Sequence, residues 1–156
     1  MKTLTPAQAR EKIRRYCAFQ ERSHQEVRNK LYEYGIYRSD IDEILADLIT
    51  EGYLNEERFS KAFAGGKFRM KKWGRIKIVH ELESKGVSKN CIKAGLKEID
   101  PVQYEETLRT LLEVKYRQID DDNLFVMRDK SAKYAIQKGY EPDLVWSLMK
   151  EIAPDR

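Results

Sequence analysis

Residues 23–48 read SHQEVRNKLYEYGIYRSDIDEILADL, and this stretch decides the fold because the chain repeats it. A second copy, GRIKIVHELESKGVSKNCIKAGLKEI, occupies residues 74–99, and a weaker third copy, MRDKSAKYAIQKGYEPDLVWSLMKEI, occupies residues 127–152. Self-similarity at a period of about 50 residues is typical of proteins built from tandem structural repeats. The three copies share a glycine at the same position: Gly35, Gly86 and Gly139.

This shared glycine predicts the end of a helix. Glycine adopts the left-handed conformation of a helix C-terminus without the steric penalty of a Cβ atom. Ser39 and Ser88 then resemble N-caps of a following helix, and Glu141-Pro142 starts the helix in the third copy. Each copy therefore predicts a helix, a glycine turn and a second helix. Apolar residues recur four positions before the glycine (Leu31, Leu82, Ala135), one after it (Ile36, Val87, Tyr140) and thirteen after it (Leu48, Ile99, Ile152).

A further helix is predicted in front of each pair. Thr5, Asn55 and Asp100 are suitable N-caps, and each is followed by an apolar stripe at helical spacing. No sustained period-two alternation predicts a strand. The sequence therefore predicts an all-α protein with three tandem three-helix repeats, at residues 1–52, 53–99 and 100–156. The stripes are Ala9–Ile13–Cys17, Phe59–Phe63 and Tyr104–Leu108–Leu111.

Charge is unevenly distributed among these repeats. The 156 residues carry a formal net charge of +4, and 36% of them are charged. The first repeat is neutral, the second has 12 basic and 5 acidic side chains, and the third has a net charge of −3. A positive field of this kind raises the rate of encounter with anionic partners. We therefore look for a binding surface in the second repeat.

Residues 67–77, KFRMKKWGRIK, form what we call the basic segment, in which six of eleven side chains are Lys or Arg. The helix that starts after Asn55 should extend to residue 72, and the next should start near Gly74. Like charges three or four residues apart on a helix repel each other by a few tenths of a kcal/mol, so this cluster favours a binding role over the alternative, a solvated helix face. We expect Lys71, Lys72 and Arg75 to project outward, and Trp73 to be either core or a binding anchor. The candidate binding residues are Lys67, Arg69, Lys71, Lys72, Trp73, Arg75 and Lys77.

Motifs that carry catalysis are missing. The chain has no GxxxxGK[ST], GxSxG or HExxH pattern and no CxxC pair. Cys17 and Cys91 fall at apolar helical positions, which predicts two buried thiols in a reducing compartment. His24 and His80 lack the spacing of a zinc site. We expect no enzymatic activity, no cofactor and no metal.

Two features keep more than one interpretation. Gly65-Gly66 falls inside the helix that carries the basic segment, where it predicts either a bend or a close approach by another group. The acidic stretch QIDDDN, residues 118–123, predicts a solvated loop.

The first twelve residues lack the apolar core of a signal peptide, and the apolar runs are too short to cross a membrane. These patterns predict a cytoplasmic protein, which we expect to be monomeric.

Three motifs resemble the RecX family of bacterial regulatory proteins. They are RSHQEVRNKLYEYG in the first repeat, and GYLNEERF and KKWGRIKIVHELESKGVS in the second. Family members carry Tyr-apolar-Asp-Asp-x-Arg-Phe at the first join; Tyr53, Arg58 and Phe59 match it. Asn55 and Glu56 replace the two acids. The turn Lys85-Gly86-Val87 also matches, whereas Gly65-Gly66 departs from the family pattern, and the third repeat matches only loosely.

The resemblance implies a function through binding. RecX proteins have tandem three-helix repeats in an elongated, curved arrangement and restrain the recombinase, ATPase and coprotease activities of RecA by binding its filament on DNA. For this chain the resemblance implies the RecA filament as partner and no catalytic residues. The alternative is direct binding of single- or double-stranded DNA, since three-helix modules with a helix–turn–helix element also read DNA.

Overall fold

The computed structural model describes residues 3–154, and within this range the protein is all-helical. Nine helices fall into three groups of three, and no residue of the range lies in a strand. The predicted all-α class and the repeated three-helix organisation are therefore confirmed. The helices are α1 (Pro6–Phe19), α2 (His24–Glu33), α3 (Arg38–Thr50), α4 (Glu56–Lys71), α5 (Arg75–Ser84), α6 (Lys89–Leu96), α7 (Pro101–Gln118), α8 (Leu124–Gln137) and α9 (Pro142–Ile152).

The first helix of each repeat begins at the predicted cap. The side chain of Thr5 accepts a hydrogen bond from the backbone N–H of Gln8. Asn55 does the same for Arg58, at 2.8 Å, and Asp100 does so for Gln103, at 3.0 Å. Each bond satisfies one of the N–H groups that a helix leaves without an internal acceptor.

The second predicted set of caps is only partly correct. Ser88 accepts from the N–H of Cys91 and caps α6 as predicted, and α9 starts at Pro142. Ser39 is not a cap, because α3 already begins at Arg38 behind Tyr37, which makes no side-chain cap bond. In all three repeats the cap is the second residue after the glycine, and Ser39 stands two positions too late.

The shared glycines end helices as predicted. Gly35, Gly86 and Gly139 have φ angles of +80°, +77° and +104°, in the left-handed region. The residue after each glycine donates its N–H to the carbonyl of the residue four positions before the glycine, as Ile36 does to Leu31 at 3.2 Å. The recurrent apolar positions on either side of the glycine are thus joined by one backbone bond.

The described chain divides into two compact units. The first comprises residues up to Phe63 together with Leu82–Gly95, and in it α1, α2 and α3 pack on one another. The second comprises Ala64–Glu81 together with the residues from Leu96, and in it α7, α8 and α9 pack on one another. The basic segment belongs wholly to the second unit. The core of the first unit contains Ala9, Ile13, Cys17, Val27, Leu31, Ile36, Ile41, Ile44, Leu45, Leu48 and Leu54.

The apolar stripes are buried except at Phe63 and Leu111, which are half-buried. The α7 stripe continues from Leu108 to Leu112, which is fully buried, while Leu111 is only half-buried. Cys91 is also half-buried, because its neighbour Ile92 takes the core position of α6, whereas Cys17 is buried as predicted. No helix within residues 3–154 is long and apolar enough to cross a membrane.

Candidate binding surface

The basic segment forms the end of α4 and the start of α5. α4 runs to Lys71 and α5 begins at Arg75, so the connection has three residues. Lys72 has a φ angle of +59°, and no other non-glycine residue of the described chain has a positive φ. Its carbonyl accepts a hydrogen bond from the Tyr140 hydroxyl at 3.0 Å. The turn therefore places a lysine in a conformation that usually requires glycine.

The candidate residues differ in exposure. Arg69, Lys71 and Lys72 are exposed, while Lys67, Trp73, Arg75 and Lys77 are half-buried. Lys71 and Lys72 form no ion pair with other residues of the described range. Phe68, on the same turn of α4, is buried and packs against the ring of Tyr104, with the two centroids 5.8 Å apart. One face of the helix end is anchored, and the opposite face presents cations to solvent.

Trp73 lies between two lysines. The Nζ atom of Lys67 is 5.0 Å from the indole centroid, and that of Lys77 is 4.6 Å from it. Both distances are within the range of cation–π attraction. The half-buried indole therefore attracts two ammonium groups, which agrees with neither a purely apolar core residue nor a fully exposed anchor.

Arg75 is held inside the second unit, which corrects the expectation that its side chain projects outward. Its Nη1 donates to Glu141 at 2.8 Å, and its guanidinium lies 3.8 Å from the ring centroid of Tyr104. The Tyr104 hydroxyl accepts from the backbone N–H of Arg75 at 2.9 Å and donates to Glu141. Burial, and then the hydrogen bond to Glu141, raise the pKa of Tyr104 well above its ordinary value.

The start of α5 is fixed by groups of the third repeat. The N–H of Gly74 donates to the carbonyl of Lys138 at 2.8 Å, and the N–H of Ile76 donates to that of Gly139 at 2.9 Å. A Cβ atom on Gly74 would lie 2.2 Å from the carbonyl carbon of Gly139, so only glycine allows the two backbones to approach this closely. The amino group of Lys138 also reaches the carbonyl of Lys71 at 3.1 Å.

Sequence reasoning missed this anchor. Gly74 and Gly139 were both visible as glycines, but each was explained by the local end or start of a helix. Glycine is an ordinary residue at a helix start, so the sequence around Gly74 carries no signal of this contact.

Gly65-Gly66 and the acidic 118–123 loop both have local structural explanations. Gly65-Gly66 does not interrupt α4: a Cβ on Gly65 would lie 2.7 Å from Nη1 of Arg69, so the glycine lets that side chain lie along the helix, while a Cβ on Gly66 would meet nothing. In the 118–123 loop, Asn123 caps α8 by accepting from the N–H of Phe125 at 2.9 Å. No group of three or more metal-ligating side chains occurs among residues 3–154.

Comparison with known proteins decides the family. The family model for the first three-helix domain of RecX matches residues 9–48, and that for the second matches residues 55–96. Together they cover 82 of the 156 residues. The chain belongs to the RecX family. The resemblance seen in the sequence motifs is thereby confirmed.

Individual RecX proteins are similar over most of this chain. A protein named regulatory protein RecX from Bacillus cytotoxicus is 23% identical over 141 residues, covering 90% of this chain and 52% of the relative. That from Clostridium perfringens is 27% identical over 133 residues, covering 84% of this chain and 62% of the relative. The chain thus spans little more than half the length of these curated relatives.

Solved RecX structures share the fold. The crystal structure of RecX from Lactobacillus salivarius superposes with a TM-score of 0.84 at 21% sequence identity, covering 94% of this chain and 96% of that one. A second crystal structure of regulatory protein RecX also gives 0.84, at 18% identity, covering 94% of this chain and 71% of its own. At these identities the likeness establishes the helical architecture of the chain.

Proposed function

We propose that this protein is a non-enzymatic regulator that binds the RecA filament on DNA in the bacterial cytoplasm and restrains the recombinase, ATPase and coprotease activities of RecA. Membership of the RecX family, whose members carry the name regulatory protein, supports the regulatory role. The observation that carries the choice of surface is the exposed cluster of Arg69, Lys71 and Lys72 on an anchored helix end. Such a cluster complements a nucleoprotein filament, which is a polyanion.

The basic segment divides into residues that contact the partner and residues that hold the segment in place. Arg69, Lys71 and Lys72 are assigned to direct contact, with Lys67 and Lys77 held beside them on Trp73. Arg75 is assigned to positioning, because its guanidinium is committed to Glu141 and Tyr104. A glutamate at position 75 would face Glu141 and damage the fold, so the test leaves Arg75 unchanged.

The test is the triple variant Arg69→Glu/Lys71→Glu/Lys72→Glu. Exposed substitutions usually change stability by no more than about 0.5 kcal/mol each, so the variant should remain folded. Like charges brought together at an interface cost several kcal/mol, so its affinity for RecA filaments should fall by roughly two orders of magnitude. Inhibition of RecA-driven strand exchange and ATP hydrolysis, titrated at fixed salt, measures the loss.

A matched control lies on α6 and directly after it. Lys89, Lys93 and Lys97 are also exposed and belong to the same predicted repeat, and their reversal to Glu changes the net charge by the same six units. This control should inhibit RecA nearly as well as the parent. If the α4 variant also inhibits like the parent, the basic segment is not the contact surface; if the parent itself leaves RecA unaffected, the regulatory assignment fails.

Direct DNA binding is the second candidate, and the Trp73 cluster is the observation that favours it. Aromatic rings flanked by cations are what proteins use to bind single strands. Binding to free single-stranded DNA through the five cations other than Arg75 should weaken with a log–log salt slope of roughly −3.5. We expect tighter binding to RecA filaments than to bare DNA at the same salt, and equal affinities would favour the second candidate.

A further inference from the structure

Two adjoining cavities form a groove along α7, within the second unit. The first has a volume of about 300 Å³ and is lined by Lys72, Glu106, Thr107, Thr110 and Leu111. The second has a volume of about 190 Å³ and is lined by Thr110, Leu111, Val114, Lys115, Gln118 and Tyr134. Since Thr110 and Leu111 belong to both cavities, the groove is continuous from Lys72 to Tyr134 on α8.

The floor of the groove is one face of α7. Its lining residues recur three or four positions apart from Glu106 to Gln118, which corresponds to about 18 Å along the helix axis. Val114 is 39% exposed and Leu111 is half-buried, so aliphatic surface remains uncovered there. The floor therefore offers a ligand apolar contact over the length of a short peptide segment.

Three lysines lie beside this floor. Lys72 and Lys115 line it, and the Nζ atoms of Lys115 and Lys138 are 4.8 Å and 5.7 Å from the ring centroid of Tyr134. None of the three lysines forms an ion pair with another residue between positions 3 and 154. Because Tyr134 already orders two of the ammonium groups, an anion that binds them loses less conformational entropy.

Glu106 is the acidic side chain in the lining of this groove. Three lysines and one glutamate leave two net positive charges among the groups that line the groove or contact Tyr134. The groove therefore favours an anionic ligand. Glu106 also requires that the part of the ligand next to it carry no negative charge.

The aliphatic floor and Glu106 favour a peptide over a nucleic acid. A polynucleotide carries a phosphate on every nucleotide, so that some phosphates would face Glu106 or lie on Leu111 and Val114, where desolvating a charge is costly. Bases stack on open aromatic faces, whereas the ring of Tyr134 has lysine ammonium groups over it. A peptide can place carboxylates beside the lysines and aliphatic side chains on the floor.

We propose that the groove along α7 binds a peptide segment of a partner protein in which aliphatic side chains are flanked by carboxylates. The aliphatic side chains fill the two cavities and cover Leu111 and Val114. The carboxylates pair with Lys72 at one end of the groove and with Lys115 and Lys138 around Tyr134. The assignment rests on the proposed function, because Lys72 belongs to both surfaces and one partner would contact both.

A fluorescein-labelled peptide, Glu-Asp-Leu-Leu-Val-Leu-Asp-Glu, tests the groove on the whole protein in the absence of RecA. Its fluorescence anisotropy should show saturable binding. The rearranged peptide Leu-Leu-Glu-Asp-Asp-Glu-Val-Leu has the same composition and should bind roughly ten times more weakly, because its carboxylates would lie on the aliphatic floor. Equal affinities, or no saturable binding up to about 1 mM peptide, overturn the proposal.

A floor variant of the protein locates the binding. Thr110→Asp/Val114→Asp places two carboxylates on the exposed part of the floor and should weaken peptide binding roughly tenfold. The matched control is Gln25→Asp/Asn29→Asp, which adds the same charge at two exposed positions four residues apart on α2. The control should bind the peptide like the parent, and an equal loss in both variants contradicts the assignment.

A second variant leaves the floor intact. Lys72→Ser/Lys115→Ser removes two of the three cations and should weaken peptide binding roughly fivefold. It should also make the affinity less dependent on salt, because fewer ion pairs form. Parent-like affinity in this variant, at low salt, overturns the proposed charge pairing.

Two further measurements separate this proposal from its alternatives. Single-stranded oligothymidylate should not displace the peptide, and displacement at the same salt would assign the groove to nucleic acid instead. Thr110→Asp/Val114→Asp should also inhibit RecA-driven strand exchange roughly ten times less effectively than the parent. Loss of peptide binding with parent-like inhibition overturns the assignment to that partner, whereas a parent that leaves RecA unaffected overturns the proposed function.

Discussion

Gly66 and Gly74 lie eight residues apart in the sequence, but their surroundings give them opposite tolerance to a methyl group. A Cβ on Gly74 would strike the backbone of Gly139 at 2.2 Å, and relieving the clash would break the bonds to Lys138 and Gly139. Gly74→Ala should therefore lower the free energy of unfolding by about 3 kcal/mol. Gly66→Ala meets nothing in a helix interior and should raise it by about 1 kcal/mol. Urea unfolding followed by tryptophan fluorescence measures both.

A Gly74→Ala variant as stable as the parent would mean that the two backbones do not touch in solution. Sequence reasoning could predict Gly139 at a helix end, because that role depends only on neighbours along the chain. It could not predict the contact with Gly74, which depends on residues 65 positions away. The same limit explains Arg75: its charge was visible, but its partner Glu141 was not.

Lys72 ends α4 in a conformation that costs an L-amino acid roughly 1–2 kcal/mol relative to glycine. Lys72→Gly should remove this cost and, after the extra flexibility of the unfolded chain is subtracted, raise the free energy of unfolding by about 1 kcal/mol. The bond from the Tyr140 hydroxyl is retained, since it goes to the backbone carbonyl of Lys72. Lys71→Gly, one residue earlier and helical, should instead lower stability by about 1 kcal/mol.

Loss of stability in both variants would contradict the left-handed turn. Lys72→Gly would also distinguish an effect on stability from an effect on binding. It removes a side chain that we propose contacts the partner, and it stabilises the end of the helix. Helix starts at Thr5, Asn55 and Asp100 were predictable, since capping depends on the sequence of one turn. Ser39 was misassigned because, like Ser88, it follows one of the shared glycines. The cap is the second residue after that glycine, a position that Ser88 holds and Ser39 does not.

For the folded chain, two buried tyrosines predict sensitivity to alkali. Burial, and then the nearby Glu141, raise the pKa of both Tyr104 and Tyr140. Above about pH 10 the unfolded chain loses these protons and the folded chain keeps them. The folded state then binds more protons, so the free energy of unfolding falls as the pH rises, by about 1.4 kcal/mol per pH unit for each tyrosine.

Urea unfolding between about pH 9 and about pH 11.5 tests this dependence. Trp73 and Trp146 both belong to the second unit, as do the two tyrosines, so their fluorescence reports the relevant transition. Tyr140→Phe loses the bond to Lys72 but should flatten the alkaline slope by about 1.4 kcal/mol per pH unit. A slope equal to that of the parent would show that Tyr140 does not retain its proton.

The repeated architecture was predictable from the sequence because three copies of one pattern reinforce each other. Charge counts also located the basic segment, although not which of its side chains are committed internally. The exposure of Phe125 and Trp146 had no sequence signal, because it depends on how the helices of the third repeat pack.

The anchor of α5 also imposes an order in time. Arg75 and Glu141 are 66 residues apart, and at about 5–20 residues per second the ribosome needs roughly 3–13 seconds to make that stretch. Throughout this interval the nascent chain already carries all six cations of the basic segment, while the carbonyls and the carboxylate that fix its geometry do not yet exist. A ribosome that stalls within the third repeat leaves a chain with every cation of the basic segment and without the groups that hold that segment in its folded geometry.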